Sequence, residues 1–453
     1  MSRPDTCDWA DVQGLVRSGY KHLPNAVYVL FRIADAAWAR GFLASLLPDV
    51  TRAREKPGDR ALNIAFSCGG LRILAGLNDA QVPSVPYPFS EGMAGTSHRS
   101  RVLGDVGDSD PDQWFWGGPH HPVHGLLVMY HREAHELATW VNRLRSAQTS
   151  GLKWMTEVLT SRDSEREPFG FRDGLSQPLI ADSHAGREHP DSRHLVKLGE
   201  VLLGYEDNAG EEARVLALPG DPDFGVNGTY LVARQIAQHA DRFWDYVEEA
   251  GPPLGLSGKD FAARIVGRTL DGDVLAPGGT TRSLAMGNEF GFAGDADGQG
   301  CPLGAHIRRG NPRDMLGNDP AGSWDLVNRH RILRRGRAFG KRSWKSYCGP
   351  EPPPNRFNEP GLMFVVLNAD IERQFEFVQQ NWINDPGFAE LAHERDPLIG
   401  VRAGEASSNV FTISSTPVRR RVSGLKNFVT VQGGEYFFLP GLRSLGRLAG
   451  AQP

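Results

Sequence analysis

Three segments of this chain hold side chains in arrangements that suit chemistry. The first is FGFRDGLSQP, residues 169–178, where Asp173 sits between Arg172 and Gly174 in a glycine-flanked turn. Glycine lets a backbone take positive φ or pass close to a flat ligand. The ordinary alternative is an Asx-turn, in which the aspartate bonds its own backbone. The second is CPLGAHIRRGNPRD, residues 301–314, where His306 follows small residues and precedes Arg308, Arg309 and Arg313. Such an imidazole is either a satisfied structural group or a metal ligand. The arginines either face water or pair with the carboxylates of a bound group. The third is NRHRILRRGRAFGKRSW, residues 328–344, with Arg329, Arg331, Arg334, Arg335, Arg337, Lys341 and Arg342. A run this basic is commonly a solvated face. Ile332 and Leu333 within it, and Gly336, Phe339 and Gly340 after it, turn some of these arginines inward, toward an anion or a developing negative charge.

Several other chemistries are set aside. There is no GxxxxGK[ST] phosphate loop, HExxH helix, GxSxG elbow or Rossmann GxGxxG after a strand. His120, His121 and His124 cluster beside Trp114 and Trp116, but no Cys or carboxylate stands at ligand spacing, so a loop or interface patch is expected there. The 453 residues are 40% hydrophobic and 23% charged with a net charge of −4, the composition of an ordinary globular chain and not of a nucleic-acid or membrane-surface binder. No apolar run is long enough for a membrane span, and the polar start MSRPDTCDWADVQG lacks a secretory h-region. Cys7, Cys68, Cys301 and Cys348 are far apart and form no CxxC pair, which fits free thiols in a cytoplasmic location.

The elements that must carry these segments fall into two halves. Strand signals at Val27–Ile33, Ala61–Ser67, Gly125–His131 and Leu152–Thr160 alternate with helical spacing over Ala34–Leu47, Leu71–Leu77 and Glu133–Ala147. That is the split pattern of a ferredoxin-like α+β unit. A polar, Gly- and Pro-rich crossing segment follows, from about Ser161 to Gly225. The second half repeats the plan less cleanly, with a strand at Gly228–Arg234, helices at Ala237–Glu249 and Asp260–Val266, a buried strand at Leu362–Leu367 and an amphipathic helix at Ile371–Trp382. Gly433–Gly434, between Phe428–Val431 and Tyr436–Leu439, reads as a hairpin turn. Two domains are expected, residues 1–165 and 166–453, with the Asp173 motif in the leading loop of the second.

Taken together the blocks carry a resemblance. GFRDG at 170–174, NGTYLVARQ at 227–235, CPLGAHIRRGNPR at 301–313 and RHRILRRGRAFG at 329–340, with VQG at 12–14 and GGEYFFLP at 433–440, resemble the signature blocks of the dye-decolourising haem peroxidase family, in order and over nearly the whole chain. The resemblance implies two ferredoxin-like domains with haem b in the C-terminal one, H2O2 as oxidant, and dyes, phenols and other organic one-electron donors as reductants. It is also compatible with a homo-oligomer. His306 would be the iron ligand, with Asp173 as proton shuttle and Arg334 as the cation beside it; Arg331 and Arg335 are alternatives to Arg334. Leu362 and Phe364 would form an apolar ceiling, and Arg308 and Arg309 would meet the haem propionates. The family's carboxylate partner for the ligand falls on Asn427, and Asp385 is another candidate.

Two consequences follow. With a carboxylate as proton shuttle, oxidation of reducing substrates is expected to run fastest in mildly acidic solution. A rate profile flat from acid to alkaline pH would count against Asp173. If the pocket excludes large donors, they must react at the surface through aromatic side chains, with Trp382, Trp344 and Tyr347 as candidates. The chief alternative function is haem carriage or iron recovery, which needs His306 but neither Asp173 nor Arg334.

Overall fold

The computed structural model describes residues 7–77, 85–147, 151–162, 165–190, 192–276, 288–317, 319–340, 359–402, 408–415 and 417–450. Trp344, Tyr347 and Cys348 lie outside the described residues. The first half supplies β1 (Asn25–Ile33), β2 (Arg60–Phe66), β3 (Gly125–His131) and β4 (Leu152–Ser161), arranged β4-β1-β3-β2. β1 shows why its sequence has no polar alternation. Val27, Val29, Phe31 and Ile33 enter one core while Ala26, Tyr28 and Leu30 enter another on the opposite face, so both faces are covered. Helices Ala36–Leu46 and Ala134–Ala147 bury Phe42, Leu43, Leu137 and Trp140 in the first of those cores. The Asp35 carboxylate caps the first helix by accepting from Trp38 N at 2.7 Å.

A parallel pair, β5 (Leu179–Ile180) and β6 (Leu195–Val196), belongs to the crossing segment. The second half then adds β7 (Thr229–Gln238), β8 (Leu333–Arg334), β9 (Arg337–Phe339) and β10 (Gly361–Asn368), a small hairpin β11 (Val410–Ile413) and β12 (Arg420–Ser423), and finally β13 (Val429–Leu439). Its order is β13-β7-β10-β8, with β9 also on β10. Fourth, first, third, second is the order of the first half too, and every pairing is antiparallel. The molecule thus carries two ferredoxin-like units, and Phe438 opposite Phe66 joins them into one continuous sheet.

Three local readings are corrected. The Gly433–Gly434 pair is no turn, because β13 runs straight through it with a register shift between Val431 and Gly433. The glycines answer a close approach instead: a Cβ on Gly433 would lie 2.5 Å from Trp116 Nε1, and one on Gly434 2.5 Å from Met93 Sδ. The strand at Gly228–Arg234 continues to Gln238, so the next helix begins at Ala240. Residues 333–339 form the second unit's missing strand, which the sequence hid because arginines occupy both of its faces.

Buried ion pairs join the two halves. Asp105 pairs with Arg234 of β7, and Arg99 with Glu376, all nearly inaccessible to solvent. Removing one partner strands a buried charge. Asp105→Ala is therefore expected to lower unfolding free energy by about 3–5 kcal/mol, read from the urea midpoint. A midpoint like that of the unaltered chain would show that water reaches Arg234.

Candidate functional site

His306 opens the short helix His306–Gly310. Its Nδ1 lies 2.9 Å from Oδ2 of Asp396, ninety residues away in sequence. The other carboxylate oxygen accepts from the Leu398 and Ile399 amides at 2.9 and 2.8 Å. Burial alone would raise the Asp396 pKa. The His306 ring, the Ile399 amide and the Arg309 guanidinium outweigh it and hold the carboxyl below the usual carboxylate range. An ionised Asp396 only accepts, so Nδ1 carries a proton and Nε2 is the ring nitrogen left to meet a ligand. Among the described residues Nε2 has no partner, and the ring is partly exposed although Asp396 is not. This is the donor set of a metal-binding imidazole oriented by a carboxylate.

Asp396 was missed by sequence reasoning. Its only local sign is the Asp-Pro step in ERDPLIG, a common turn initiator. Neither sequence candidate touches His306. Asn427 lends its carbonyl to Arg242 at 2.8 Å, and the Asp385 carboxylate caps Gly387 N at 2.9 Å.

The assignment of Arg308 and Arg309 to haem propionates is also corrected. Both are fully buried and face the protein. Arg308 donates to the Cys301 carbonyl at 2.8 Å, to the Asp295 carboxylate and carbonyl, and to Met315. Arg309 donates to the carbonyls of Trp382, Asp385 and Glu394. Together they stitch the His306 helix to its surroundings.

Asp173 sits in a self-supporting turn. Glu167 accepts from the Phe169 and Phe171 amides, while Arg166 donates to the Gly170 and Leu270 carbonyls. Phe169 and Phe171 anchor the turn in the core of helices Ala240–Ala250 and Gly258–Val266. Gly170 and Gly174 adopt φ of +98° and +77°, a region closed to most side chains. The Asp173 carboxylate accepts from Gly174 N at 2.6 Å.

The structure brings Arg334 to this turn. Its guanidinium donates to the Leu175 carbonyl, and its amide donates to the Gln177 side chain at 3.0 Å. Strand geometry separates it from its neighbours. Arg335 and Arg337 point the other way, onto carbonyls of Leu15, Val16, Gly19, Tyr20, Leu23 and Pro24. Arg331 donates to His194 Nδ1 at 3.1 Å and to the Ser176 carbonyl at 3.3 Å. Val366 stands opposite Arg334 across the β10–β8 pairing, so Phe364 and Leu362 share that sheet face. Both are half-buried on an otherwise buried strand.

The loop after Val266 runs between the two groups. A Cβ on Gly267 would sit 2.5 Å from Ile307, next to His306. Three residues on, the Leu270 carbonyl accepts from the Arg172 amide, next to Asp173, at 3.1 Å. The region is also strongly cationic. Burial and then Arg334 lower both Arg268 and Arg331 to about 10. Burial, Arg331 and Arg268 push Arg313 well below its usual value. Arginines crowded together with so little carboxylate nearby suit an anionic ligand. Trp382 is buried among His330 and Phe377. Among the described residues no cluster of three His, Cys, Asp or Glu could hold a metal, and no helix is long and apolar enough to cross a membrane.

The fold and this paired geometry define a class of duplicated ferredoxin-like α+β proteins. A solved peroxidase of this type from Anabaena superposes with a TM-score of 0.79 at 23% identity, covering 97% of this chain and 94% of its own. A fungal one from Auricularia auricula-judae gives 0.77 at 25% identity, covering 98% and 100%. A dye-decolorizing peroxidase of Mycetinis scorodonius is 28% identical over 96% of this chain and 86% of its own length. A multifunctional dye peroxidase of Amycolatopsis is 32% identical over 62% and 61%. No family model matches the chain. In sequence and in fold the chain is similar over nearly its whole length to dye-decolourising peroxidases.

Proposed function

We propose that this protein is a haem b peroxidase that reduces H2O2 and oxidises phenols, dyes and similar one-electron donors. The observation that carries the reading is the His306–Asp396 hydrogen bond at 2.9 Å, which leaves the other imidazole nitrogen open on a partly exposed ring. Bound through His306 Nε2, haem supplies the redox-active iron. Asp396 orients the ring and raises its basicity. Asp173 takes a proton from one peroxide oxygen and returns it to the other. Arg334 stabilises the peroxide anion during that transfer. Leu362 and Phe364 keep the space dry and small. Arg268, Arg313 and Arg331, in place of Arg308 and Arg309, are suited to compensate the cofactor's two carboxylates. The domain division at about residue 165 then leaves His306, Asp173 and Arg334 all in the second unit. Free Cys7, Cys68 and Cys301 fit a reducing cytoplasm. A haem carrier would need the imidazole alone and has no use for Asp173 with Arg334.

Purified protein supplied with haem should show a Soret band and peroxide-dependent oxidation of a methoxyphenol. Absence of the band after reconstitution would reject the proposal. Asp396→Asn should lower haem affinity or turnover by about 10–100-fold, measured by haem titration and steady-state kinetics. Unchanged values would show that the His306 ring is oriented without Asp396.

A further inference from the structure

A second carboxylate ties the Asp173 turn to the central sheet. Arg166 and Arg172 face each other across an antiparallel bridge. Beside it the Glu167 amide donates to the Phe171 carbonyl at 3.0 Å, and the Asp173 amide to the Glu165 carbonyl at 2.7 Å. Partners across such a ladder share a face, as do alternate residues along each strand. Glu167, opposite Phe171, therefore lies on the same face as Asp173. Its carboxylate accepts from the Phe169 amide at 3.0 Å, the Phe171 amide at 2.8 Å and Gln238 Nε2 at 2.7 Å.

Gln238 is the last residue of β7. Ile236 stands opposite Leu362 and Arg234 opposite Phe364, so Gln238 belongs to the sheet face that also carries Leu362, Phe364 and Arg334. It is 4% exposed, and among the described residues its amide oxygen has no partner. The hydrogen bond to Glu167 is thus what orients this buried amide. It links the element that bears Asp173 to the face that bears Arg334.

Three donors converging on Glu167 call for a carboxylate, and its charge then falls beside Asp173. Burial raises the Glu167 pKa, the two amides and Gln238 oppose the rise, and the charge of Asp173 adds to it. The other charges around the turn are engaged elsewhere. Glu165 pairs with Arg172 at 2.8 Å and Asp271 with Arg166 at 2.6 Å. His239 lies 3.8 Å from Glu359. Arg242, on the helix packed against Phe169, donates to the Asn427 carbonyl, and Arg268 to the Gly272 carbonyl. Among the described residues Glu167 has no cation partner of its own.

Resting on the reading of Asp173 as proton shuttle, we propose that Glu167 and Gln238 are positioning residues for it. Gln238 fixes Glu167 to the sheet face that bears Arg334, and Glu167 fixes the Asp173 turn over that face and sets a negative charge beside the shuttle. A peroxide handled by Asp173 and Arg334 together needs their separation held constant. The charge opposes a second negative charge on its neighbour, so removing it should carry peroxide reduction to lower pH.

The test compares Glu167→Gln and Gln238→Leu holoenzymes with the parent. The readouts are the pH dependence of kcat/KM for H2O2 and hydrogen–deuterium exchange of the amides from Glu167 to Asp173. Both variants should lower that kcat/KM by about 10–100-fold and speed exchange in the turn. In Glu167→Gln the acid limb of the profile should also move to lower pH. Gln238→Leu keeps the charge, so its limb should stay where the parent's is. A lowered rate with an unmoved limb in Glu167→Gln makes Glu167 a structural residue only and overturns the proposal, as do parental rates in both variants. If Glu167→Gln folds poorly, Gln238→Leu decides, and parental exchange with a parental rate there overturns the clamp. Asp173→Asn protein that reduces peroxide like the parent overturns the underlying reading instead.

Discussion

Replacing Asp173 by Asn should leave haem bound and lower kcat/KM for H2O2 by about 10²–10⁴-fold, the range of a lost general acid–base group. Asparagine matches the shape of aspartate and can still accept from the Gly174 amide, so the turn should survive. That turn is held mainly by others. Glu167 binds two of its amides, and Arg166 two of the carbonyls around it. What the amide loses is the capacity to take up and release a proton. Stopped-flow mixing with peroxide, alongside the Soret spectrum of the resting protein, separates a chemical defect from loss of cofactor. Turnover within about twofold of the parent would exclude Asp173 as the shuttle and shift attention to Arg334 acting alone.

Replacing His306 by Ala should abolish stable haem retention. Loss of a partner that only orients a ligand costs about 10–100-fold in metal affinity, and the loss of the ligand itself should exceed that. The damage extends to Asp396. Its carboxylate is wholly buried, with His306 accounting for much of its stabilisation in charged form. Without the ring it keeps the Leu398 and Ile399 amides and the nearby Arg309 charge. Haem content per chain and thermal unfolding of the haem-free protein measure the two effects separately. A variant that keeps full haem content would mean that another group binds the iron.

Both ends of the site depend on one element. The π-helical stretch Ile371–Glu376 and Val378–Ile383 offers the Trp382 carbonyl to Arg309, three residues beyond His306. From the same stretch, Gln374 donates to the Arg331 carbonyl at 2.6 Å, and Arg373 to the Arg329 carbonyl at 2.7 Å. A π-helix is rarely sustained by local preference. Here the buried polar groups it serves on both sides give it a reason to persist.

Much of this was legible in the residues. Buried strands announced themselves through β-branched and aromatic runs, and helices through apolar residues at helical spacing. Asp173 and His306 stood out because glycine or small residues flank them, whereas Arg334 was singled out from the neighbouring Arg331 and Arg335 only by the family resemblance. Gly433–Gly434 misled because a glycine pair serves a tight turn or a close approach equally well, and only Trp116 and Met93, more than three hundred residues earlier, decide which.

The amino-acid sequence by itself determined the two ferredoxin-like units and most of their strands and helices, and it pointed to three short segments suited to chemistry. Those properties come from local periodicity and local backbone freedom, which a linear string records. Tertiary structure alone decided which arginine serves which purpose. Arg308 and Arg309 became internal fasteners, Arg335 and Arg337 clamps on the N-terminal segment, and Arg334 a donor to the Leu175 carbonyl in the turn that carries Asp173. It alone paired His306 with Asp396, because a guanidinium or an imidazole is satisfied by whatever acceptor the fold brings within about 3 Å, and sequence separation places no limit on that partner.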